Sequence, residues 1–328
     1  MNKGERDTLE DLLRRASPRP VPAPEDLTAV KSAVRDEWRT VTTRRTDRRR
    51  LANFAIAASV LVGVFAVLNI LRVPAVDVVQ VARIEKSFGP VYVLGEQAEL
   101  RPTRNLSDVM SGQTIVTGDG AGLALSWAAG GSLRADENTR IRFSSGEAVF
   151  VEEGRVYFDS IASSIGGTDV ADVPVFMLQT QYGDIRHLGT QYMTDVARDS
   201  LVVSVREGEV MIDGTYHDQT ITSGQQATFV GSQRPSILSV SRTGQAWDWV
   251  GRTTPAADVD GRSLHQFLVW VSREMGLELR FEGKAEAVAE AAILRGTIDT
   301  EPADALRMRL ATAALKWRID QGVIYITD

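Results

Sequence analysis

The chain has 328 residues, 43% hydrophobic and 24% charged, and its 37 Lys+Arg against 43 Asp+Glu leave a net charge of −6. That composition excludes a disordered chain, which needs low hydrophobicity with high charge. The absence of cysteine excludes disulfides, thiolate metal sites and a cysteine nucleophile. The mild acidic excess argues against a nucleic-acid coat, but it hides a division: residues 1–50 hold 13 Lys+Arg against 9 Asp+Glu, so the acidic surplus lies beyond them.

The first fifty residues form a short helical segment in two pieces. Leu9, Leu12 and Leu13 share a face of the first piece, and Pro18, Pro20, Pro22 and Pro24 keep the connection to the second extended. The second helix starts near Glu25 and Asp26, whose charge suits a helix N-terminus, and carries Leu27, Val30, Val34, Trp38 and Val41 as an apolar seam. Fifty residues cannot close a useful core. The seam therefore either packs on the first piece across the proline hinge or lies in a groove of a cytoplasmic partner.

Leu51 to Leu71 contains no charge over 21 residues, which as a helix covers roughly the 30 Å of a bilayer's hydrocarbon core. Its length exceeds the apolar core of a signal peptide, and fifty residues precede it. Within twenty residues of its ends there are eight Lys+Arg before it and three after. That bias puts the N-terminus in the cytoplasm and everything after residue 71 across the membrane, in the periplasm of a diderm bacterium. Arg44, Arg45, Arg48, Arg49 and Arg50, directly against the span, read as a topology signal on anionic lipid and not as an arm for direct nucleic-acid contact.

Residues 72–244 read as an all-β domain, sandwich, barrel or solenoid. Residues 80–240 hold 18 of the 27 glycines, and short alternating runs such as Leu123 to Trp127, Val149 to Val151 and Arg155 to Phe158 fill them. Leu201 to Val205 is expected to turn at Glu207-Gly208 into Val210 and Ile212. From residue 245 to 328 the pattern becomes a linker and a small α+β domain. Ser263 caps a helix closed by Gly276, and Leu277, Leu279 and Phe281 alternate as a strand. Ile293 to Ile298 forms a further strand, Pro302 opens a second helix, and the chain ends in a hairpin turning at Asp320-Gln321-Gly322. Trp247 and Trp249, in the linker, are expected to dock one domain on the other.

These segments carry a resemblance. Val175 to Val196, VFMLQTQYGDIRHLGTQYMTDV, followed by Val202 to Ile212, VVSVREGEVMI, resembles the signature of the FecR family of transmembrane anti-sigma factors and sigma regulators. Its motif residues fall at Thr180, Gly183, Leu188, Gly189, Thr190, Tyr192 and Gly208. GQTIVTG, from Gly112, and SGQQATF, from Ser223, fit the flanking repeats. Residues 262–328 are similar to the short N-terminal (STN) domain of secretins and TonB-dependent receptors. The resemblance implies an inner-membrane, single-pass signal transducer regulating transcription. Its cytoplasmic segment would contact an extracytoplasmic-function sigma factor through Leu9, Leu12, Leu13, Leu27, Val30, Val34, Trp38 and Val41. The signalling domain of a TonB-dependent receptor would address the periplasmic side, as in iron-transport regulation, and regulated intramembrane proteases would release the cytoplasmic piece.

Enzyme chemistry is not expected, and neither is a cofactor, a metal or a catalytic residue. His187, His217 and His265 keep no metal-ligand spacing. Gly118, Gly120 and Gly122 precede a strand, where a dinucleotide fingerprint needs a helix. Glu152 and Glu153 alternate on a strand and are expected on opposite faces. The competing reading is a membrane-anchored envelope protein whose β domain binds a polysaccharide or another protein without sigma-factor control.

Overall fold

The computed structural model describes residues 14, 23–39, 78–94, 100–102, 107–128, 130–160, 176–311 and 315–328. Leu9, Leu12, Leu13, Val41, the arginines between 44 and 50, and the stretch from Leu51 to Leu71 lie outside them. Among the described residues no helix is long and apolar enough to cross a membrane. The chain divides into two units, Met1–Val76 and Asp77–Asp328.

In the first unit a helix, α1, covers residues 24–39. It begins on Pro24, one residue before the expected acidic start. Proline suits this position because its missing N–H would have no partner in the first turn. The first-turn amides of Asp26 and Leu27 donate to the Ala23 carbonyl at 2.9 and 3.2 Å.

The second unit opens with one hydrogen-bonded network. It comprises β1 (Gln80–Phe88), β2 (Val91–Leu94), β3 (Leu100–Pro102), β4 (Asp108–Met110), β5 (Thr114–Thr117), β6 (Gly122–Trp127), β7 (Ser132–Ala135), β8 (Arg140–Phe143), β9 (Ala148–Asp159), β10 (Met177–Thr180), β11 (Gly183–Val196), β12 (Ser200–Gly214), β13 (Gln219–Thr222), β14 (Gln225–Val230) and β15 (Ser236–Ser239).

The network resolves into two layers that share the three long strands β9, β11 and β12. The second half of β9, the second half of β11 and the first half of β12 belong with β15, β14, β7, β6, β1 and β4. The opposite halves belong with β13, β10, β8, β5, β2 and β3. A single apolar core drawn from both layers lies between them, making the domain a sandwich, one of the three expected forms. Phe158 stacks on Phe176 with ring centroids 4.4 Å apart, and Trp127 meets Phe176 edge-on at 4.7 Å. Each fully buried Val, Leu, Ile or Phe of this core contributes about 1.5–3 kcal/mol.

Each shared strand slips its inward face by one residue at a left-handed glycine. In β9 the buried core residues are Val149 and Val151, then Val156 and Phe158, on either side of Gly154 (φ 95°). In β12 they are Leu201, Val203 and Val205, then Val210 and Ile212, on either side of Gly208 (φ 82°). In β11 the change falls between Ile185 and Tyr192, across Gly189 (φ 59°), where pairing with β12 is irregular. These are β-bulges, which bend a strand and let it pass from one layer to the other. The expected turn at Glu207-Gly208 is therefore corrected: β12 runs unbroken through it. The same logic corrects Glu152 and Glu153. Beside the Gly154 bulge both carboxylates come to Arg140, each 3.6 Å from its Nε.

The chain then forms a 3-10 turn at Gln245–Trp247 and α2 (Asp248–Arg252), followed by β16 (Ala257–Asp258), α3 (Leu264–Met275), β17 (Glu278–Phe281), α4 (Ala285–Ala291), β18 (Thr297–Ile298), α5 (Pro302–Ala311), β19 (Lys316–Asp320) and β20 (Val323–Thr327). The expected capping box on α3 is present: the Gln266 amide donates to Ser263 Oγ, and the Ser263 amide donates to Gln266 Oε1. Gly276 closes α3 in the left-handed conformation. The terminal hairpin pairs Asp320 with Val323, and β17 joins it parallel to β20. The expected Ile293–Ile298 strand shrinks to β18 and a single Ser263–Ile293 bridge. Between β17 and β18 lies a helix that the spacing does not predict, α4, whose Ala285 and Ala289 are fully buried one turn apart.

Candidate functional site

Of the family-motif residues, Leu188, Gly189, Thr190 and Gly208 lie at the bulge shared by β11 and β12, and Thr180 and Gly183 lie at the turn from β10 into β11. The Thr190 amide donates to Ser160 Oγ at 2.7 Å, the Ser160 amide donates back to the Thr190 carbonyl at 3.1 Å, and Thr190 Oγ1 donates to the Glu209 carbonyl at 2.9 Å. A Cβ on Gly208 would stand 2.6 Å from the Gly189 carbonyl oxygen, so only glycine fits where the two strands cross. Thr180 Oγ1 accepts from the Tyr182 amide at 3.0 Å and donates to the Gly183 carbonyl at 3.0 Å, closing the turn from β10 into β11. A Cβ on Gly183 would meet the Asp213 backbone of β12. Tyr192 is fully buried, its ring 5.9 Å from Phe158. Leu188 occupies its expected place in β11. The motif thus builds the crossing of the layers and presents no reactive group to solvent.

The outward side of that crossing carries the α+β domain. Trp247, Trp249 and Val250 pack on Tyr157 of β9 and Met193 of β11, and Trp249 Nε1 donates to Met193 Sδ at 3.3 Å. Both linker tryptophans thus anchor the linker on the sandwich, which is one side of the docking expected of them. The polar part of the junction was not legible in advance. Arg134 of β7, 1% exposed, forks onto Glu274 of α3 through Nη1–Oε2 at 2.8 Å and Nη2–Oε1 at 2.9 Å. Its Nη1 also donates to the Val250 carbonyl and to Thr254 Oγ1. Burial works against the Arg134 charge, but Glu274 and the neighbouring Tyr157 and Asp159 outweigh it and hold its pKa above the usual arginine value.

Arg206 of β12, equally buried, donates to the Arg242 and Glu274 carbonyls at 2.9 and 3.1 Å and lies 4.2 Å over the Trp247 ring. Burial lowers its pKa. Arg273 of α3 reaches back to Asp159, with Nε–Oδ2 at 3.2 Å, and to Glu207 at 3.0 Å. Gly276 completes the junction, since a Cβ there would stand 2.6 Å from both Arg206 Nε and the Arg242 carbonyl oxygen. No local signal marks this joint, since Arg134 and Arg206 fall in short mixed stretches, Ser132 to Asp136 and Ser204 to Gly208.

On α1 the seam residues that fall within the described chain stand in solvent. Leu27 is 41% exposed, Val30 and Val34 are 62% exposed and Trp38 is 69% exposed.

The histidines lie apart in three different settings. His187 is buried among Phe158, Phe176 and Tyr192, and burial pushes its pKa down to about 4. His217 Nε2 lies 3.1 Å from the Ser232 carbonyl, and His265 stacks on Phe281 at 5.2 Å. Among the described residues no group of three or more His, Cys, Asp or Glu is placed to hold a metal.

Residues 113–211, from the turn before β5 to the second half of β12, match the family model described as FecR protein. The matched stretch takes in most of the sandwich and its glycine crossing, so this part of the chain is similar to FecR proteins. Two crystal structures of a candidate anti-sigma factor from Parabacteroides distasonis ATCC 8503 are similar to it. One, at 2.50 Å, is 16% identical over 66% of this chain and 98% of that one; the other, at 1.65 Å, is 17% identical over 65% and 97%, both with TM-scores of 0.33. Likeness at that level carries no argument for function. No curated protein matches the chain.

Proposed function

We propose that this protein is a single-pass inner-membrane signal transducer that binds and controls an extracytoplasmic-function sigma factor in response to a periplasmic signal. The match of residues 113–211 to the FecR family model supports a sigma-factor regulatory role. The observation that carries the sigma contact is the exposed apolar row on α1, at Leu27, Val30, Val34 and Trp38. On this reading residues 1–50 are the cytoplasmic regulatory segment, 51–71 the membrane helix, 72–244 the periplasmic FecR domain, and 245–328 the linker with an STN-like domain. The Lys+Arg bias around the span supports that topology. The signal arrives from the signalling domain of a TonB-dependent outer-membrane receptor, and regulated intramembrane proteolysis releases the cytoplasmic segment with its sigma factor. The protein is a binding and relay component and not an enzyme.

Co-purification tests the sigma contact. Full-length protein extracted from its native membrane retains an extracytoplasmic-function sigma factor, and Val34→Asp, which places a charge in the middle of the seam, loses it. A wild-type preparation free of any sigma factor refutes the proposal.

A further inference from the structure

At the end of the sandwich away from the glycine crossing, four turns close on one another. A straight strand of 14 residues spans about 45 Å, yet β11, bent at Gly189, brings the turn before it against the turn after it. The Tyr182 hydroxyl donates to the Ala197 and Arg198 carbonyls at 3.1 and 2.8 Å, and Gln181 Nε2 donates to the same pair at 3.2 and 3.4 Å. The Thr215 amide donates to the Tyr182 carbonyl at 2.8 Å, which ties in the turn after β12, and the His217 contact with Ser232 ties in the turn after β14. Between these turns lies a cleft of about 440 Å³, within the size range of small-ligand sites. Because the turns are tied to one another, the shape of the cleft is set before a ligand arrives, which lowers the cost of binding.

The lining favours an uncharged ligand. Its fixed charges are one arginine and one acid, the adjacent and exposed Arg198 and Asp199, which cancel. Two aromatic rings border the cleft, Tyr182 and the 65% exposed Tyr216, and the buried Phe229 also lines it. The Gln233 amide and the Thr215 hydroxyl, both at exposed positions, supply uncharged donors and acceptors. Aromatic faces beside such groups match a sugar ring, which has apolar C–H faces and a rim of hydroxyls. An extended peptide is matched less well, because it pairs through free backbone groups. Here the Tyr182, Ala197, Arg198 and Ser232 carbonyls and the Thr215 amide are already bonded within the protein.

We propose that this cleft is a binding site for a neutral glycan, one sugar ring of which stacks on Tyr216 while its hydroxyls bond to Gln233 and Thr215. The inference goes beyond the sigma-factor reading. It concerns the sandwich alone and stands whether or not a sigma factor binds α1.

The test is calorimetric titration of the full-length chain in lipid nanodiscs with two neutral oligosaccharides, cellotetraose and chitotetraose, and with an uncharged peptide, tetraproline blocked at both ends. At least one of the oligosaccharides binds saturably, and the peptide does not. Tyr216→Ala weakens that binding about tenfold, whereas Tyr216→Phe, which keeps the ring, stays within about twofold of the wild type. Gln233→Ala weakens it about threefold. Both side chains are exposed, so the variants keep the fold, and an unchanged unfolding temperature checks this. Absence of saturable binding by both oligosaccharides, tighter binding of the peptide, wild-type affinity in Tyr216→Ala, or a loss in Tyr216→Phe equal to that in Tyr216→Ala overturns the proposal. Sigma-factor co-purification, measured on the same preparations, reports separately on the contact at α1.

Discussion

Glu274→Ala tests whether the buried fork is what holds the sandwich and the α+β domain together. The substitution removes both Glu274 bonds to Arg134 and leaves the buried guanidinium with the Val250 carbonyl, the Thr254 hydroxyl and the Tyr157 ring, with Asp159 the remaining nearby acid. Removing one partner of a buried pair costs about 3–5 kcal/mol, mostly for the stranded charge. For a unit the size of Asp77–Asp328, at about 2–4 °C per kcal/mol, the unfolding temperature falls by about 10 °C. The companion variant Arg134→Met with Glu274→Leu removes both charges together. Val250 keeps the Thr253 and Thr254 hydroxyls as donors, so this double variant stays within about 1 kcal/mol of the wild type. Denaturant unfolding of all three proteins, with both domains probed, gives the comparison. A Glu274→Ala protein within about 0.5 kcal/mol of wild type would refute the reasoning, because the charge would then not be stranded.

The remaining predictions concern bulge, cap and pH. Gly208→Ala places a Cβ 2.6 Å from the Gly189 carbonyl in a left-handed residue and lowers stability by about 3 kcal/mol, measured by thermal unfolding. Ser263→Ala removes the acceptor of the α3 capping box and costs about 1 kcal/mol, with hydrogen exchange rising first at the start of α3. His187 titrates near pH 6.5 in the unfolded chain and, held neutral by burial, at about 4 in the fold. Between those values the unfolded chain binds more protons, so stability is complete above pH 6.5 and falls as pH drops toward 4, by about 3 kcal/mol. His187→Phe flattens that part of the stability profile in denaturant titrations at graded pH.

The sequence revealed elements wherever one periodicity ran uninterrupted. The α3 seam between Ser263 and Gly276, the Pro302 helix and the terminal hairpin were each bounded by a residue with a single local role. Legibility failed at the long strands. A bulge at Gly208 shifts the alternation by one residue, and a shifted alternation reads as two strands with a turn between them. It failed also at Ala285–Ala291, where a helix made mostly of alanine and glutamate buries too little to show a strong apolar stripe. The motif residues Gly189, Thr190 and Gly208 could be picked out in advance, but their role in joining two layers needed the pairing of β11 with β12. Arg134 and Glu274 are 140 residues apart, and their meeting depends on the whole docking of one domain on the other. The apolar seam of α1, by contrast, was readable from spacing alone, because a helix presents every third or fourth residue on one side whatever else the chain does.

On the proposed function, α1 holds a sigma factor through that seam. The most direct measurement of that contact is transcription from a promoter dependent on the co-purified sigma factor, in cells carrying wild-type or Val34→Asp protein at equal abundance. Val34→Asp is expected to disconnect the promoter from the protein, giving the same output as deletion of residues 24–39. Promoter output under Val34→Asp that matches wild type, with and without the inducing signal, would contradict it.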